Sequence, residues 1–391
     1  MEKTSPSALG FDPARLNALK RSLQDDIDAV RIDGISMIVA RNGKIAFEAA
    51  LGFADRAAKR PMAMSDVFHT MSIAKQFTNT TIHQAVERGN LALTTRVADI
   101  IPEFAVHGKA RISVGEMIIH RAGISSGFPP VPPDEALNLA AVVAAVSAMP
   151  PEAEPGTVVN YSPVCAHAIL AEVVRRVDGG KRAFRQILAE DVFAPLGMKD
   201  TALGLRNDLR DRRVPVVYRD RTPGLFDPDA LEGMSLALQE DSEVPAGGCV
   251  TTAADVLRFA EALRLAGALD GKRVLSPATV RMATVNQTGE MPNLLWHYAR
   301  ERAGWPEIPA FLSMGFFLRG TGIFPTPFGT LASPGTFGGL GAGSNFFWVD
   351  PATNVVCVFL SSGLLEEIAN IERLQRVSDM VHAALIDCAT I

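Results

Sequence analysis

Ile35-Ser36-Met37-Ile38-Val39-Ala40 is an apolar run rich in β-branched residues, and it is followed by Asn42-Gly43 and then by Lys44-Ile45-Ala46-Phe47-Glu48-Ala49. Asn-Gly is the pair most favoured in two-residue hairpin loops, because both positions need positive φ. The stretch therefore predicts two antiparallel strands close to the N-terminus. Upstream, Asp12-Pro13 predicts a helix start, with Asp12 as the cap and Pro13 at the first helical position. Leu16, Leu19, Leu23 and Ile27 then recur at helical spacing.

The far end of the chain mirrors this pattern. Residues 313–319, 328–332, 345–349 and 355–361 read as strands, and Asp350-Pro351-Ala352-Thr353-Asn354 reads as the turn between the last two. Ile368, Ile371, Leu374, Val377, Val381 and Leu385 predict a closing helix over residues 366–387. Between the two ends, helical patterns alternate with breakers such as Pro129-Pro130-Val131-Pro132-Pro133 and residues 244–248. The expected fold is α+β. One discontinuous domain (residues 1–65 plus 310–391) carries a sheet built from both termini, and a mainly helical domain (66–309) is inserted into it.

With 391 residues, 48% hydrophobic and 21% charged, the chain has ample material for a large core. Lys plus Arg number 38 and Asp plus Glu 43, for a net charge of -5. A mildly acidic chain without a dense basic run is a poor match for nucleic acid or an anionic membrane. Cys165, Cys249, Cys357 and Cys388 show no C-x-x-C spacing and read as reduced thiols. The opening residues, Met1-Glu2-Lys3-Thr4-Ser5-Pro6, lead into a polar helical pattern without an apolar signal core. The most apolar window, residues 139–149, is too short to span a bilayer. The expectation is a soluble, cytoplasmic protein.

Seven histidines, at 69, 83, 107, 120, 167, 297 and 382, include no H-x-x-x-H pair, so no metal is expected. Gly338-Gly339-Leu340-Gly341-Ala342-Gly343 does not fit G-x-G-x-x-G, and it precedes a strand where a phosphate loop must open a helix. No cofactor is implied. Two serine motifs compete. Gly123-Ile124-Ser125-Ser126-Gly127 satisfies G-x-S-x-G, but a nucleophile elbow needs a strand before it and a helix after. Here a helical pattern precedes it and a proline-rich loop follows. The rival, Ser72-Ile73-Ala74-Lys75, is the chain's one S-x-x-K and sits where the sequence turns helical. Three residues apart on a helix, the serine and lysine face the same way. A lysine held there can take the hydroxyl proton if burial lowers its pKa. On these four residues alone the plainer reading stands ahead: a capping serine and a solvated lysine.

Further along stands one of only three tyrosines, in Asn160-Tyr161-Ser162-Pro163, directly before a helical run. Its plain reading is a buried aromatic with a satisfied hydroxyl. Serine, lysine, tyrosine and a glycine-rich strand edge, in that order, resemble the serine hydrolases of the β-lactamase and penicillin-binding-protein superfamily. The likeness is to its class C branch and, more closely, to family VIII carboxylesterases. It extends over nearly the whole chain and includes Ile118-Ile119-His120-Arg121-Ala122-Gly123-Ile124, Phe193-Ala194-Pro195-Leu196-Gly197-Met198 and Trp348-Val349-Asp350-Pro351.

The resemblance implies a mostly antiparallel sheet flanked by the terminal helices, with the active site in the cleft beside a helical domain. It implies Ser72 as nucleophile, Lys75 and Tyr161 as its proton relay, and an oxyanion hole from the backbone N–H groups of Ser72 and Leu340. Two departures stand out. Where β-lactamases carry Tyr-x-Asn, this chain reads Tyr161-Ser162-Pro163, without the side-chain amide. Where they carry a cation ahead of the glycines, it reads Phe337-Gly338-Gly339. Family VIII esterases tolerate an aromatic residue there, and both losses favour esters over β-lactams.

Trp296 and Tyr298 lie in Leu294-Leu295-Trp296-His297-Tyr298-Ala299-Arg300, which reads either as a packed helix or as an aromatic wall over the acyl pocket. The expected activity is a carboxylesterase acting on small to medium acyl esters through an acyl-enzyme. An acyltransferase, a weak β-lactamase or a D-amino peptidase would share its chemistry. A non-catalytic binding protein on the same fold is the alternative of another class.

Overall fold

The computed structural model describes residues 1–343 and 345–387; Cys388 lies outside them. The predicted hairpin forms as β1 (Gly34–Arg41) and β2 (Lys44–Asp55), and Asn42 and Gly43 turn the chain at φ 53 and 77. Asp12 caps α1 (Pro13–Asp28) by accepting from Ala14 N. Short strands β3 (Arg60–Pro61), β4 (Phe68–His69), β5 (Ala202–Leu203) and β6 (Cys249–Thr251) follow, then a hairpin of β7 (Ala268–Leu269) and β8 (Lys272–Arg273). The last strands are β9 (Phe317–Leu318), β10 (Phe337–Gly341), β11 (Asn345–Asp350) and β12 (Val355–Ser362).

Both termini build one sheet of seven strands in the order β3-β2-β1-β12-β11-β10-β9. Its pairings are antiparallel, and β1 meets β12 with Gly34 opposite Ser362 and Arg41 opposite Val355. Successive strand residues point to opposite faces. Ile35, Met37 and Val39 therefore pack with Cys357, Phe359, Phe346 and Trp348 against α1 and the closing helix Glu367–Ala383. Ile38 and Ala40 join Val356, Val358, Leu360 and Phe347 on the other face, in the core shared with Phe259 of the helix Ala253–Arg264 and with Phe77. Burial on both faces explains why β1 and β12 read as nearly unbroken apolar runs.

Three sequence expectations are corrected. Strand structure in 313–319 is confined to Phe317–Leu318, because Ser313 N and Phe316 O close a tight turn before it at 2.9 Å. Residues 328–332 form no strand. The N–H groups of Thr330 and Leu331 instead go to Asp379 Oδ1 on the closing helix, at 2.6 and 2.9 Å. That helix stops at Ala383, because Leu385 bridges to Phe11 and Ile386 N donates to Gly10 O. Helices outnumber strands between the sheet-forming ends, but that region also holds the small β4-β6-β5 sheet and the β7-β8 hairpin. Among the described residues, no helix is long and apolar enough to cross a membrane.

Candidate active site

The site is assembled where the turn leading into α2 (Ala74–Glu87) meets β10. A 3-10 turn, Met71–Ile73, leads into α2, and Met71 holds φ at 49, a left-handed value uncommon outside glycine. Several contacts hold it in that conformation. Thr70 N and Oγ1 both donate to Cys249 O, at 2.9 and 3.0 Å, and Asn345 Nδ2 donates to His69 O at 2.7 Å. A methyl group on Gly341 would come within 2.5 Å of Thr70 O, so the strand approaches this turn as closely as backbone permits. The turn leaves Ser72 half-buried at a helix start, where backbone N–H groups lack intrahelical partners.

Helical geometry brings Lys75 to Ser72. Lys75 Nζ donates to Ser72 Oγ at 2.8 Å, to Pro163 O at 2.7 Å and to Ala246 O at 3.0 Å. Its three acceptors are neutral, and burial lowers its pKa to about 7. The tyrosine-bearing segment 160–163 and the breaker 244–248 thus both act as anchors for the ammonium.

Tyr161 is buried, and its ring centroid lies 5.0 Å from Lys75 Nζ. Burial pushes its phenol well above the usual range, and the adjacent Ser72 hydroxyl offsets part of the rise. Its loop is held by His120, to which the sequence alone assigned no role in the site. His120 Nδ1 accepts from Ser162 N at 3.1 Å, His120 O accepts from Asn160 N at 2.9 Å, and the imidazole lies 4.5 Å from the Tyr161 ring. His167 follows at 5.6 Å. Burial first, and then the charge of Lys75, hold His120 down to about 3 and His167 well below its usual value. Both rings are neutral at physiological pH.

Phe337 is buried with its ring 5.2 Å from Phe316, Gly338 pairs with Phe317, and a methyl group on Gly339 would strike Gln76 Oε1. Arg319 N donates to Thr336 O, so residues 336, 338 and 340 direct their backbone groups toward β9. Pairing with β9 ends at Gly338, which leaves the Leu340 N–H on the open edge. Ser72, Tyr161, Leu340 and Trp296 line one cavity. Tyr298 instead donates its hydroxyl to Glu366 Oε1 at 3.1 Å. The Arg319 guanidinium is taken up by the carbonyls of Gly320, Gly322 and Thr330.

Ser125 is in a different setting. It lies in a loop, is buried, and donates to Glu152 Oε1 at 2.6 Å, while Ser126 holds the other carboxylate oxygen. Glu367 lines the Ser72 cavity and was not singled out in the sequence. Among the described residues, no group of three or more His, Cys, Asp or Glu is arranged to hold a metal ion.

The chain is similar to known proteins over much of its length. Penicillin-binding protein 4 of Amycolatopsis lactamdurans is 31% identical over 267 residues, covering 66% of this chain and 68% of its own. Esterase EstB of Burkholderia gladioli is 30% identical over 307 residues, covering 66% and 74%. The crystal structure of a penicillin-binding-protein homologue from Caulobacter crescentus is 25% identical with a TM-score of 0.78, covering 96% of this chain and 99% of that one. The Beta-lactamase family model matches residues 19–377, a span that takes in both sheet-forming ends and the Ser72, Lys75 and Tyr161 cluster, and the chain belongs to that family.

Proposed function

We propose that the protein is a serine carboxylesterase acting on small to medium acyl esters, with Ser72 as nucleophile and Lys75 and Tyr161 as its proton relay. The observation that carries this reading is the 2.8 Å contact between Lys75 Nζ and Ser72 Oγ, made by an amine whose other partners are two neutral carbonyls. A buried ammonium without a carboxylate is poorly stabilised, so a useful fraction is the free amine near neutrality.

In that form Lys75 takes the Ser72 proton as Oγ bonds to the ester carbonyl carbon. The carbonyl oxygen receives the electron pair and is held by the N–H groups of Ser72 and Leu340. Collapse re-forms the carbonyl and breaks the ester C–O bond. The proton travels from Lys75 by way of Tyr161 to the departing alkoxide. A water molecule then gives a proton to the same relay, bonds to the acyl carbon and displaces Ser72, whose oxygen recovers that proton as the acid leaves.

The preference for esters rests on the rim of the site. Phe337 stands where a carboxylate-binding cation would be, and Arg319 is engaged by carbonyls of its own loop. The substrate would enter between the sheet-bearing region, 1–65 with 310–391, and the helical region, 66–309. Free, buried Cys165, Cys249 and Cys357 suit a cytoplasmic setting as part of the same proposal. The direct test is a fluorophosphonate probe followed by peptide mapping, run beside hydrolysis of nitrophenyl butyrate. An adduct on Ser72 with turnover of the ester supports the reading; an unlabelled, inactive protein overturns it.

A further inference from the structure

The cavity that opens on Ser72 and Tyr161 is otherwise largely apolar, with Phe226, Leu295, Trp296 and Phe317 in its wall, and its one charged lining residue is Glu367. Glu367 begins the closing helix and is only 4% exposed. One of its oxygens accepts from Gly343 N at 2.8 Å. The adjacent carboxylate, Glu366, is differently placed: it accepts from Tyr298 Oη at 3.1 Å and from Ile368 N at 3.0 Å, and Arg302 lies 4.0 Å away. The cation that faces Glu367 is Arg373, on its own helix, which is itself engaged by Asn370 Oδ1 at 2.8 Å.

All three tyrosines of the chain feel the Glu367 charge: Tyr161, Tyr218 and Tyr298. Tyr218 is the informative one. It is 5% exposed, it packs with Ala342 and Phe226 of the cavity wall, and its hydroxyl has no partner among the described residues. A methyl group on Gly343, the residue that donates to Glu367, would come within 3.1 Å of that hydroxyl. A buried carboxyl thus faces an aromatic pocket that holds the nucleophile, and an unpartnered buried hydroxyl lies behind the pocket wall, close to the Gly343 backbone that the carboxyl engages. Burial, with Glu366 adding to it, holds the Glu367 carboxyl up to about 8 against the opposing pull of Gly343 N–H, the Asn370 side chain and Arg373. An incoming cation would ionise it and release the proton to solvent. An incoming carboxylate would meet only repulsion or an uncompensated burial cost.

Resting on the esterase reading, we infer that Glu367 is a specificity residue and that the preferred substrates are esters bearing an ammonium group. The cation sits against the Glu367 carboxylate and the faces of Trp296 and Phe226, with Tyr218 Oη hydrogen-bonded to the carboxylate. Aromatic walls suit a quaternary ammonium as well as a primary one.

Two nitrophenyl esters of the same shape test this, the 4-(trimethylammonio)butyrate and the 5,5-dimethylhexanoate, which differ only in nitrogen for carbon. The native protein is expected to favour the cationic ester in kcat/KM by about tenfold or more. In Glu367→Gln, whose amide oxygen can still accept from Gly343 N, that ratio should fall to about one. Should the variant not fold, inhibition of the native protein decides: choline should inhibit dimethylhexanoate hydrolysis about tenfold more strongly than its neutral isostere 3,3-dimethylbutanol. A ratio near one in the native protein, or a preference that survives Glu367→Gln, overturns the inference while leaving the esterase reading intact. Absence of any ester hydrolysis overturns the esterase reading itself.

Discussion

The backbone carbonyl of Pro163 accepts a hydrogen bond from Lys75 Nζ at 2.7 Å. Proline cannot supply the side-chain amide that a β-lactamase places there, yet its carbonyl helps hold the lysine on Ser72. Together with Ala246 O, it fixes the ammonium among neutral oxygens, and burial lowers its pKa to about 7.

Replacing Ser72 with Ala should abolish ester turnover and covalent labelling, whereas Ser125→Ala should keep both within about threefold of the native protein. Ser125 donates in a loop to Glu152, whose carboxyl pKa burial raises but hydrogen bonds from Ser125, Ser126 and Asn160 hold below the usual range, so the acceptor is a weak base. Mass spectrometry of a phosphonate adduct decides the matter: an adduct on Ser125 would reverse the assignment.

Lys75→Ala and Tyr161→Phe should each lower kcat by about a hundredfold or more, since each removes a proton carrier. The pH profile follows from the lysine. Its pKa is lowered to about 7, so the reactive amine is present above that pH and lost as pH falls through it. The rate should climb through neutrality and level off on the alkaline side. An optimum at acid pH would contradict a lysine base.

Nitrophenyl butyrate should be hydrolysed far faster than nitrocefin. A β-lactam brings a carboxylate into the cleft, where Phe337 offers no charge and Arg319 is occupied by backbone oxygens. Leaving that anion unpaired costs at least a few kcal/mol, about a hundredfold or more in rate. Equal or higher kcat/KM for nitrocefin would place the substrate class elsewhere.

Gly341→Ala should depress kcat/KM by about tenfold or more, because the added methyl would lie 2.5 Å from Thr70 O and must push the turn that presents Ser72. Gly233→Ala is the matched control. It lies exposed in the helix Pro228–Ala237 with open space around it, and should leave activity unchanged while raising stability by about 0.5–1 kcal/mol. Steady-state kinetics and urea denaturation of both variants give the comparison.

His120→Ala should cost about 1–3 kcal/mol of stability, because the buried Ser162 N–H loses its acceptor. It should also lower kcat by loosening the Tyr161 loop. Burial holds the imidazole down to about 3, so the alkaline-rising pH profile should keep its shape in the variant. A profile that changed shape would give His120 a proton-transfer role.

Much of this was legible from local chemistry. Asn42-Gly43 demanded a hairpin, Asp12-Pro13 a helix start, and the helical spacing of Ser72 and Lys75 placed amine and hydroxyl on one face. The ordered series of serine, lysine, tyrosine and glycine-rich strand identified the superfamily, because the order of its motifs along the chain survives where their spacing varies. Other features depended on contacts between residues far apart in sequence. Residues 328–332 look like a strand, but Asp379 takes the N–H groups of Thr330 and Leu331, and Thr326 those of Phe328 and Gly329. His120 is an ordinary histidine until Ser162 and Tyr161 are brought against it, and Glu367 reads as one more charge at a helix start until the fold buries it beside Ser72. Local sequence determines which backbone conformations and which pairs one turn apart are favoured. Desolvation and the meeting of distant groups, which set the pKa of Lys75 and the character of the pocket, exist only once the chain has closed on itself.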